Sequence, residues 1–198
     1  MVLAHHFILT GYGHWLPNDP RGSLSKRVDL RMLRQTGEHH YGRKPIQPTA
    51  KELQEFHRKA RQPLRHCVLW FNEPERAALV RGIARVVQEQ RLTCYAGAVL
   101  DNHVHVLIRR HRLRGDEILS ILKTVLAEEI HQAGLFPPEH PVISDDSCDI
   151  FKDDPQSIRT CIAYINENFA KHKLPLVIYP FVQDYDGWTP SGWGPYRK

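Results

Sequence analysis

The chain has 198 residues, 41% of them hydrophobic, and carries 27 Lys and Arg against 22 Asp and Glu, a formal charge of +5. This size corresponds to one domain, which we expect to span residues 1–198, and the hydrophobic fraction excludes extensive disorder. No stretch approaches the roughly 18 consecutive apolar residues of a membrane span and the first residues lack a secretory pattern, so we expect a cytoplasmic protein without a membrane partner.

The first predicted element is a strand at His6–Tyr12, which is apolar and β-prone. The following segment, 17–66, contains 12 Lys and Arg against 5 Asp and Glu and so holds the whole positive excess. Turn signals predict a long loop up to residue 50, a short basic helix within 51–66, and either a strand or a buried connection at 66–71. A basic insertion of this kind is typical of a surface that binds a polyanion, and a solvated loop without a ligand is the alternative.

Hydrophobic periodicity and capping residues predict three helices, two adjoining strands and one weak strand in the remainder. The helices span 72–90, 116–132 and 153–172, the strands span 92–100 and 103–110, and the weak strand lies at 141–144 or at 150–152. This order predicts an α+β fold, a ferredoxin-like (RRM-like) antiparallel sheet with helices on one face and an additional C-terminal helix. An aromatic tail follows at 175–198.

Two histidines, His103 and His105, lie two residues apart in the second of the adjoining strands. Side chains at such positions point to the same face of a sheet, and two imidazoles there supply half of a metal site. With 13 histidines in the chain, roughly one such triplet is expected by chance, so the spacing alone is a weak signal. Its position in a strand, directly after a tight turn, favours a functional role.

Tyr164 and Asn168 lie four residues apart on the last predicted helix, at the flank of its apolar stripe. A tyrosine and a carboxamide that project together towards a histidine pair place a nucleophile and a third ligand near one metal. The alternative is that Tyr164 packs as an edge aromatic and that Asn168 makes an ordinary side-chain hydrogen bond.

The sequence DNHVHVLI at 101–108, followed by a helix and by YINEN at 164–168, resembles the IS200-like Y1 family of HUH single-strand DNA transposases. It is most similar to the branch of REP-associated tyrosine transposases, in which a strand of roughly PNHVHLLI precedes a helix with YIxxNP. The segments TGYGHWLPNDPRGS at 10–23 and YPFVQDYDGW at 179–188 are also similar to that branch, so the resemblance covers nearly the whole chain. Phe169 and Asp101 replace prolines of the branch pattern.

The resemblance implies that His103 and His105 bind a divalent metal, Mg or Mn, and that Asn168 completes the protein ligands. It implies that Tyr164 is the nucleophile that cleaves single-stranded DNA bearing a hairpin and forms a 5′-phosphotyrosine. Imidazole and amide ligands do not themselves exclude zinc, cobalt or nickel. Relatives of the two branches imply either a monomer or a homodimer. The substitution at Phe169 keeps a second function open, a domesticated nucleic-acid-binding protein that no longer cleaves.

Contacts to DNA are expected from basic side chains for the phosphates and from aromatic side chains for the bases. Tyr185, Trp188 and Trp193 of the tail either stack on bases or dock the tail against the domain. The basic candidates lie in the insertion and just beyond the histidine strand; they are Arg21, Lys26, Arg27, Arg31, Arg34, Arg109, Arg110 and Arg112.

Overall fold

The computed structural model describes residues 1–16, 18–23, 40, 42–62, 64–145 and 147–191. The predicted DNA-binding residues Lys26, Arg27, Arg31 and Arg34, and the tail residue Trp193, lie outside these ranges. The elements in chain order are β1 (Ala4–Thr10), β2 (Gly22–Ser23), β3 (Gly42–Arg43), α1 (Ala50–Ala60), α2 (Glu73–Glu89), β4 (Cys94–Val99), β5 (His103–Arg109), α3 (Gly115–Gln132), β6 (Cys148–Lys152) and α4 (Pro155–Lys171).

Four strands form one antiparallel sheet in the order β4-β5-β1-β6, and β2 and β3 form a separate small hairpin. Because the four strands succeed one another in the chain as β1, β4, β5 and β6, this order is that of a ferredoxin-like sheet. The predicted α+β fold is therefore confirmed. The weak strand forms at 148–152, whereas the alternative location contributes only a single bridge from Ile143 to Gly11.

The two faces of the sheet carry different helices. Gly115, the first residue of α3, lies beneath His5, since a Cβ atom there would be 2.8 Å from the His5 Nδ1 atom. His6, the residue after His5 in β1, points to the opposite face of the sheet, where its ring contacts that of Tyr164 on α4. Helix α2 packs against α3. The predicted arrangement, two helices on one face and a separate C-terminal helix, is thus the one observed.

Helix α4 begins with a side-chain N-cap and continues past position 169, where the pattern of the resembling transposase branch has proline. The Asp154 carboxylate accepts a hydrogen bond from the Ser157 amide at 2.8 Å, and Pro155 occupies the first turn. Phe169 is buried in the core and its ring lies 6.4 Å from that of Tyr179. A proline at 169 would remove one helical hydrogen bond. Phenylalanine instead continues the helix and joins it to the tail.

The tail covers the free edge of β4. Val182 forms a parallel bridge to Cys94, and the phenol of Tyr95 donates a hydrogen bond of 2.8 Å to Asp186. The ring of Tyr185 packs edge-on against that of Tyr95, at 5.0 Å. Docking is therefore the observed role of Tyr185, and a covered edge strand is protected from pairing with other chains.

The segment 66–71 is a connection and not a strand. Its amides at Leu69 and Phe71 donate to the carbonyls of Tyr12 and Asp101, and both side chains are buried. Within the described residues, no helix combines the length and the apolar character needed to cross a membrane.

Candidate active site

The two histidines of β5 direct their ring nitrogens at each other. The Nε2 atoms of His103 and His105 are 2.9 Å apart. The Nδ1 atom of His103 lies 2.6 Å from the side-chain oxygen of Asn102. Because an amide oxygen only accepts, this Nδ1 carries the proton of the neutral ring and the Nε2 atom of His103 presents a lone pair.

A third histidine, His6 of β1, completes the chain of imidazoles. Its Nε2 atom lies 2.9 Å from the Nδ1 atom of His105. The contact follows from the pairing of β1 with β5, in which Ile8 lies opposite His105 and so places His6 diagonally across on the same face. Sequence reasoning did not single out His6, because its role depends on the register between two strands far apart in the chain.

Burial keeps these rings neutral. His105 is 1% exposed, and burial holds its pKa well below the usual 6.5, with the nearby His103 adding to the effect. Burial, followed by the neighbouring charge of His172, lowers the pKa of His103 to about 3. Burial, followed by Lys152, lowers the pKa of His6 to about 4. Near neutral pH all three imidazoles are therefore uncharged, which is the form that binds metals.

The histidine pair fits a divalent cation as two adjacent ligands. Two nitrogens that each lie about 2.0–2.1 Å from one metal, at a right angle, are about 2.9 Å apart. This arrangement requires His105 to donate from Nδ1 to His6. In the other arrangement, His6 donates to His105 and His105 donates to His103 without a cation. Within the described ranges, no group of three or more His, Cys, Asp or Glu side chains has metal-site geometry.

Asn168 lies beside the site, with its amide turned to its own helix. Its side-chain nitrogen donates to the carbonyl of Tyr164 at 2.7 Å, and the residue is 5% exposed. In the described part of the chain it makes no hydrogen bond to His103 or His105. Its role as a third ligand stays a prediction.

Tyr164 lies over the histidines and is open to solvent. Its ring is edge-on to those of His6 and His105, with centroids 6.1 Å and 5.7 Å away. The side chain is 42% exposed, and the Nζ atom of Lys171 lies 4.7 Å from the ring centroid. The fold thus brings an accessible phenol, a cation and the histidine pair together.

The end of α4 is tied to the turn before β5. The Nδ1 atom of His172 lies 2.6 Å from a carboxylate oxygen of Asp101, and the rings of His172 and His103 are 5.1 Å apart. Position 101 is proline in the pattern of the resembling transposase branch. Here it is Asp101, whose carboxylate holds the helix of Tyr164 against the histidine strand.

A cleft of about 460 Å³ opens in front of these residues. It is lined by His103, His105 and Tyr164 together with Trp15, Arg21 and residues of the β2–β3 hairpin. The volume lies within the range of about 300–1,000 Å³ that is usual for ligand sites. The first part of the basic insertion thus lines the same cleft as the histidine pair.

The other basic candidates beyond β5 lie elsewhere. Arg109 is six residues from His103 along an extended strand, which separates them by about 20 Å, and Arg110 and Arg112 are further on. The Arg109 guanidinium lies 3.5 Å from the Asp186 carboxylate and 5.1 Å from the centroid of the Trp188 ring. Arg109 and Trp188 therefore hold the tail, and of the described basic candidates only Arg21 reaches the cleft.

The strand order and this site define an α+β protein of ferredoxin-like architecture, with a histidine pair beneath a tyrosine on an additional helix. No protein-family model matches the chain, and neither does any curated protein. A solved structure, "Structure of the REP associates tyrosine transposase bound to a REP hairpin", is similar over 99% of this chain and 93% of that chain, with 12% identity and a TM-score of 0.44.

Proposed function

We propose that this protein is a metal-dependent endonuclease and strand transferase for single-stranded DNA, with Tyr164 as the nucleophile. The observation that supports it best is the accessible phenol above two neutral imidazoles whose Nε2 atoms are 2.9 Å apart. A free tyrosine phenol ionises only near pH 10, so it needs electrostatic help to attack a phosphodiester at neutral pH. We propose that the protein acts on DNA in the cytoplasm, as a monomer or a homodimer.

In the proposed reaction, the Tyr164 oxygen forms a bond to phosphorus and the bond from phosphorus to the 3′ oxygen breaks. The phenol proton is lost, the 3′ oxygen gains a proton, and a 5′-phosphotyrosine remains. A divalent cation, Mg or Mn, held by His103 and His105 would polarise the phosphate and neutralise its developing charge. Asn168 is proposed as the third protein ligand. The covalent bond conserves the phosphodiester, so attack by another 3′ hydroxyl rejoins the strands.

Charge around Tyr164 suits an anionic substrate. The Lys171 ammonium lies 4.7 Å from the ring centroid, and Lys171 itself has a companion carboxylate in Glu167 at 3.8 Å. Burial keeps His103 and His105 neutral, so they add no charge that would repel a cation. The site therefore combines ligands for a cation with a positive group beside the nucleophile.

The experiment is covalent capture of hairpin-bearing single-stranded oligonucleotides with randomised flanks, in Mg or Mn, followed by a denaturing gel. A slower protein band is expected with the native chain and none with Tyr164→Phe. Tyr12→Phe is the matched control, because Tyr12 is half-buried against His66 and His140 and lies outside the cleft. A full-strength adduct in Tyr164→Phe contradicts the assignment.

The second candidate function is a nucleic-acid-binding protein that no longer cleaves. The amide of Asn168 bonded to the Tyr164 carbonyl, and not to a histidine, favours it. It predicts binding to oligonucleotides that persists with a chelator, and no adduct with any divalent metal. The same gel and a binding titration separate the two functions.

A further inference from the structure

The part of the cleft wall formed by Trp15 and Arg21 presents an aromatic ring and a guanidinium. The Cζ atom of Arg21 lies 3.7 Å from the centroid of the Trp15 ring. Trp15 is 38% exposed, so part of the indole is accessible. Both residues line the same cavity as His103 and Tyr164.

The guanidinium is fixed by a buried carboxylate. The Nε and Nη2 atoms of Arg21 donate to the two carboxylate oxygens of Asp19 at 2.8 Å and 2.7 Å, and Asp19 is fully buried. The backbone amide of Arg21 also donates to Asp19, at 2.9 Å. A two-pronged pair of this kind holds the guanidinium plane in one orientation.

The backbone of Trp15 is held in an unfavourable conformation. Its φ angle is +49°, in the left-handed region that side chains other than those of glycine and asparagine rarely adopt. Such strain persists only where the surroundings enforce it, and it concentrates at functional sites. The preceding residue is anchored, because His14 donates to the Leu69 carbonyl at 2.9 Å. The fold therefore fixes the indole at the cleft.

The charge on this wall is already compensated. Asp19 neutralises Arg21, so a phosphate would have to compete with a buried carboxylate for the same nitrogens. What remains available is flat surface, since an indole and a guanidinium both stack on the faces of bases. The chemistry of the wall therefore suits a nucleobase better than a phosphate.

We propose that Trp15 and Arg21 form a stacking platform for one unpaired base of the single-stranded DNA, next to the phosphodiester that reaches Tyr164. The identity of the substrate rests on the proposed function. Thr10 and Gln47 line the same cavity, and we expect their polar groups to contact the edge of the base. The platform thus positions the nucleotide that flanks the cleaved bond.

The test is a binding cycle that requires neither cleavage nor metal. All proteins carry Tyr164→Phe, chelator is present, and fluorescence anisotropy measures affinity for oligonucleotides in which a single abasic site is moved along the strand. Loss of one stacked base is expected to weaken binding about 5- to 100-fold at one position. Trp15→Leu is expected to bind the intact strand about 5- to 100-fold more weakly than the protein with Trp15, and to show no further loss of affinity at that abasic position. Trp15→Phe is expected to restore most of the difference.

Phe151→Leu is the matched control, because Phe151 is 60% exposed but packs on His5 outside the cavity. It should keep the full effect of the abasic site. The inference is overturned if the abasic scan is flat, if Trp15→Leu retains the base dependence, or if no oligonucleotide binds. If the native protein forms the Tyr164 adduct but the abasic scan is flat, the platform is contradicted and the proposed function stands. If binding depends on one base but no adduct forms, the platform is supported and the proposed cleavage is contradicted.

Discussion

Two groups of histidines in this protein differ in the atoms that their rings face. In the paired-imidazole site, formed by His6, His103 and His105, ring nitrogens face other ring nitrogens at 2.9 Å. In the carbonyl-bound histidines, His14, His131 and His140, they face backbone oxygens. His140 contacts the carbonyls of Cys67 and Pro141 at 3.0 Å and 2.8 Å, His131 contacts the His140 carbonyl at 3.0 Å, and His14 contacts that of Leu69 at 2.9 Å.

The atom that a ring nitrogen faces distinguishes the two groups of histidines, whereas burial does not. His105 is 1% exposed and His140 is 4% exposed, so both are interior residues. A carbonyl oxygen can only accept, so a ring nitrogen that donates to one carries a proton and has no lone pair for a metal, and a neutral imidazole has one such nitrogen. The carbonyl-bound histidines are therefore expected to stabilise loops, and the paired-imidazole site to bind a cation.

The largest expected effect is the loss of metal binding in His105→Ala. Removing one of two nitrogen ligands should weaken binding of Mn²⁺ at least about a hundredfold, to below detection by calorimetry. His131→Ala, taken from the carbonyl-bound histidines, should bind Mn²⁺ like the native chain. Native affinity in His105→Ala would mean that the cation binds elsewhere and that the two groups do not differ in this respect.

Acid is expected to act on buried members of each group, on His6 and His103 of the paired-imidazole site and on His14 of the carbonyl-bound histidines. Burial lowers the pKa of His6 and of His14 to about 4, and that of His103 to about 3. Below pH 6.5 the unfolded chain protonates these rings and the folded chain does not, so the free energy of unfolding falls as the pH falls from 6.5 towards 4. Each ring contributes up to about 1.4 kcal/mol per pH unit.

Urea denaturation between pH 7.5 and 4.5, with chelator present, measures this slope, and comparison with His14→Phe separates the histidine contribution from that of the carboxylates. His14→Phe should lower the slope by about 1.4 kcal/mol per pH unit. A stability that stays constant between pH 6.5 and 4.5 would show that the buried imidazoles take up protons in the folded state.

His140→Ala should destabilise the fold without affecting the metal site. It removes a hydrogen bond to a backbone carbonyl and a ring that packs 4.9 Å from Phe136 and 5.5 Å from Tyr12. We expect a loss of about 2–4 kcal/mol in the free energy of unfolding, measured in urea at pH 7.5. Mn²⁺ bound per folded molecule should be unchanged, and a parallel loss of metal affinity would contradict the separation of the two groups.

The sequence predicts the parts of the site that depend on local geometry. Alternation along one strand places His103 and His105 on the same face, and helical spacing places Tyr164 above Asn168. Caps and periodicity likewise predict α2, α3 and α4 to within a few residues. These relations need only the conformation of one element.

The remaining parts depend on which distant segments meet. His6 contacts His105 only because β1 pairs with β5 in one register, and a shift by one residue would turn His6 to the other face. Trp15 and Arg21 line the cleft together with residues of the β2–β3 hairpin, which is not part of the main sheet. Arg109 is the last residue of the histidine strand, and the length of β5 places it at the far end from His103. Spacing along the chain cannot supply these relations.

The smallest expected effect tests how His6 acts on the paired-imidazole site. If the Nε2 atom of His6 accepts a hydrogen bond from the Nδ1 atom of His105, it keeps the Nε2 lone pair of His105 directed to the same point as that of His103. His6→Phe keeps a ring of similar size but removes the acceptor, and loss of such an orienting partner typically costs about 10- to 100-fold in metal affinity. We expect the low end, about tenfold, because His103 has its own orienting partner in Asn102.

His6→Gln should recover affinity, since a side-chain oxygen can accept from the same nitrogen, whereas a purely steric role would be rescued better by phenylalanine. His5→Phe is the control on the same strand, as His5 faces the other side and lies 3.0 Å from the Asp149 carboxylate. Calorimetry with Mn²⁺ measures all three variants. Equal affinity in His6→Phe and the native chain would show that burial alone orients His105, and the paired-imidazole site would then consist of two histidines and not three.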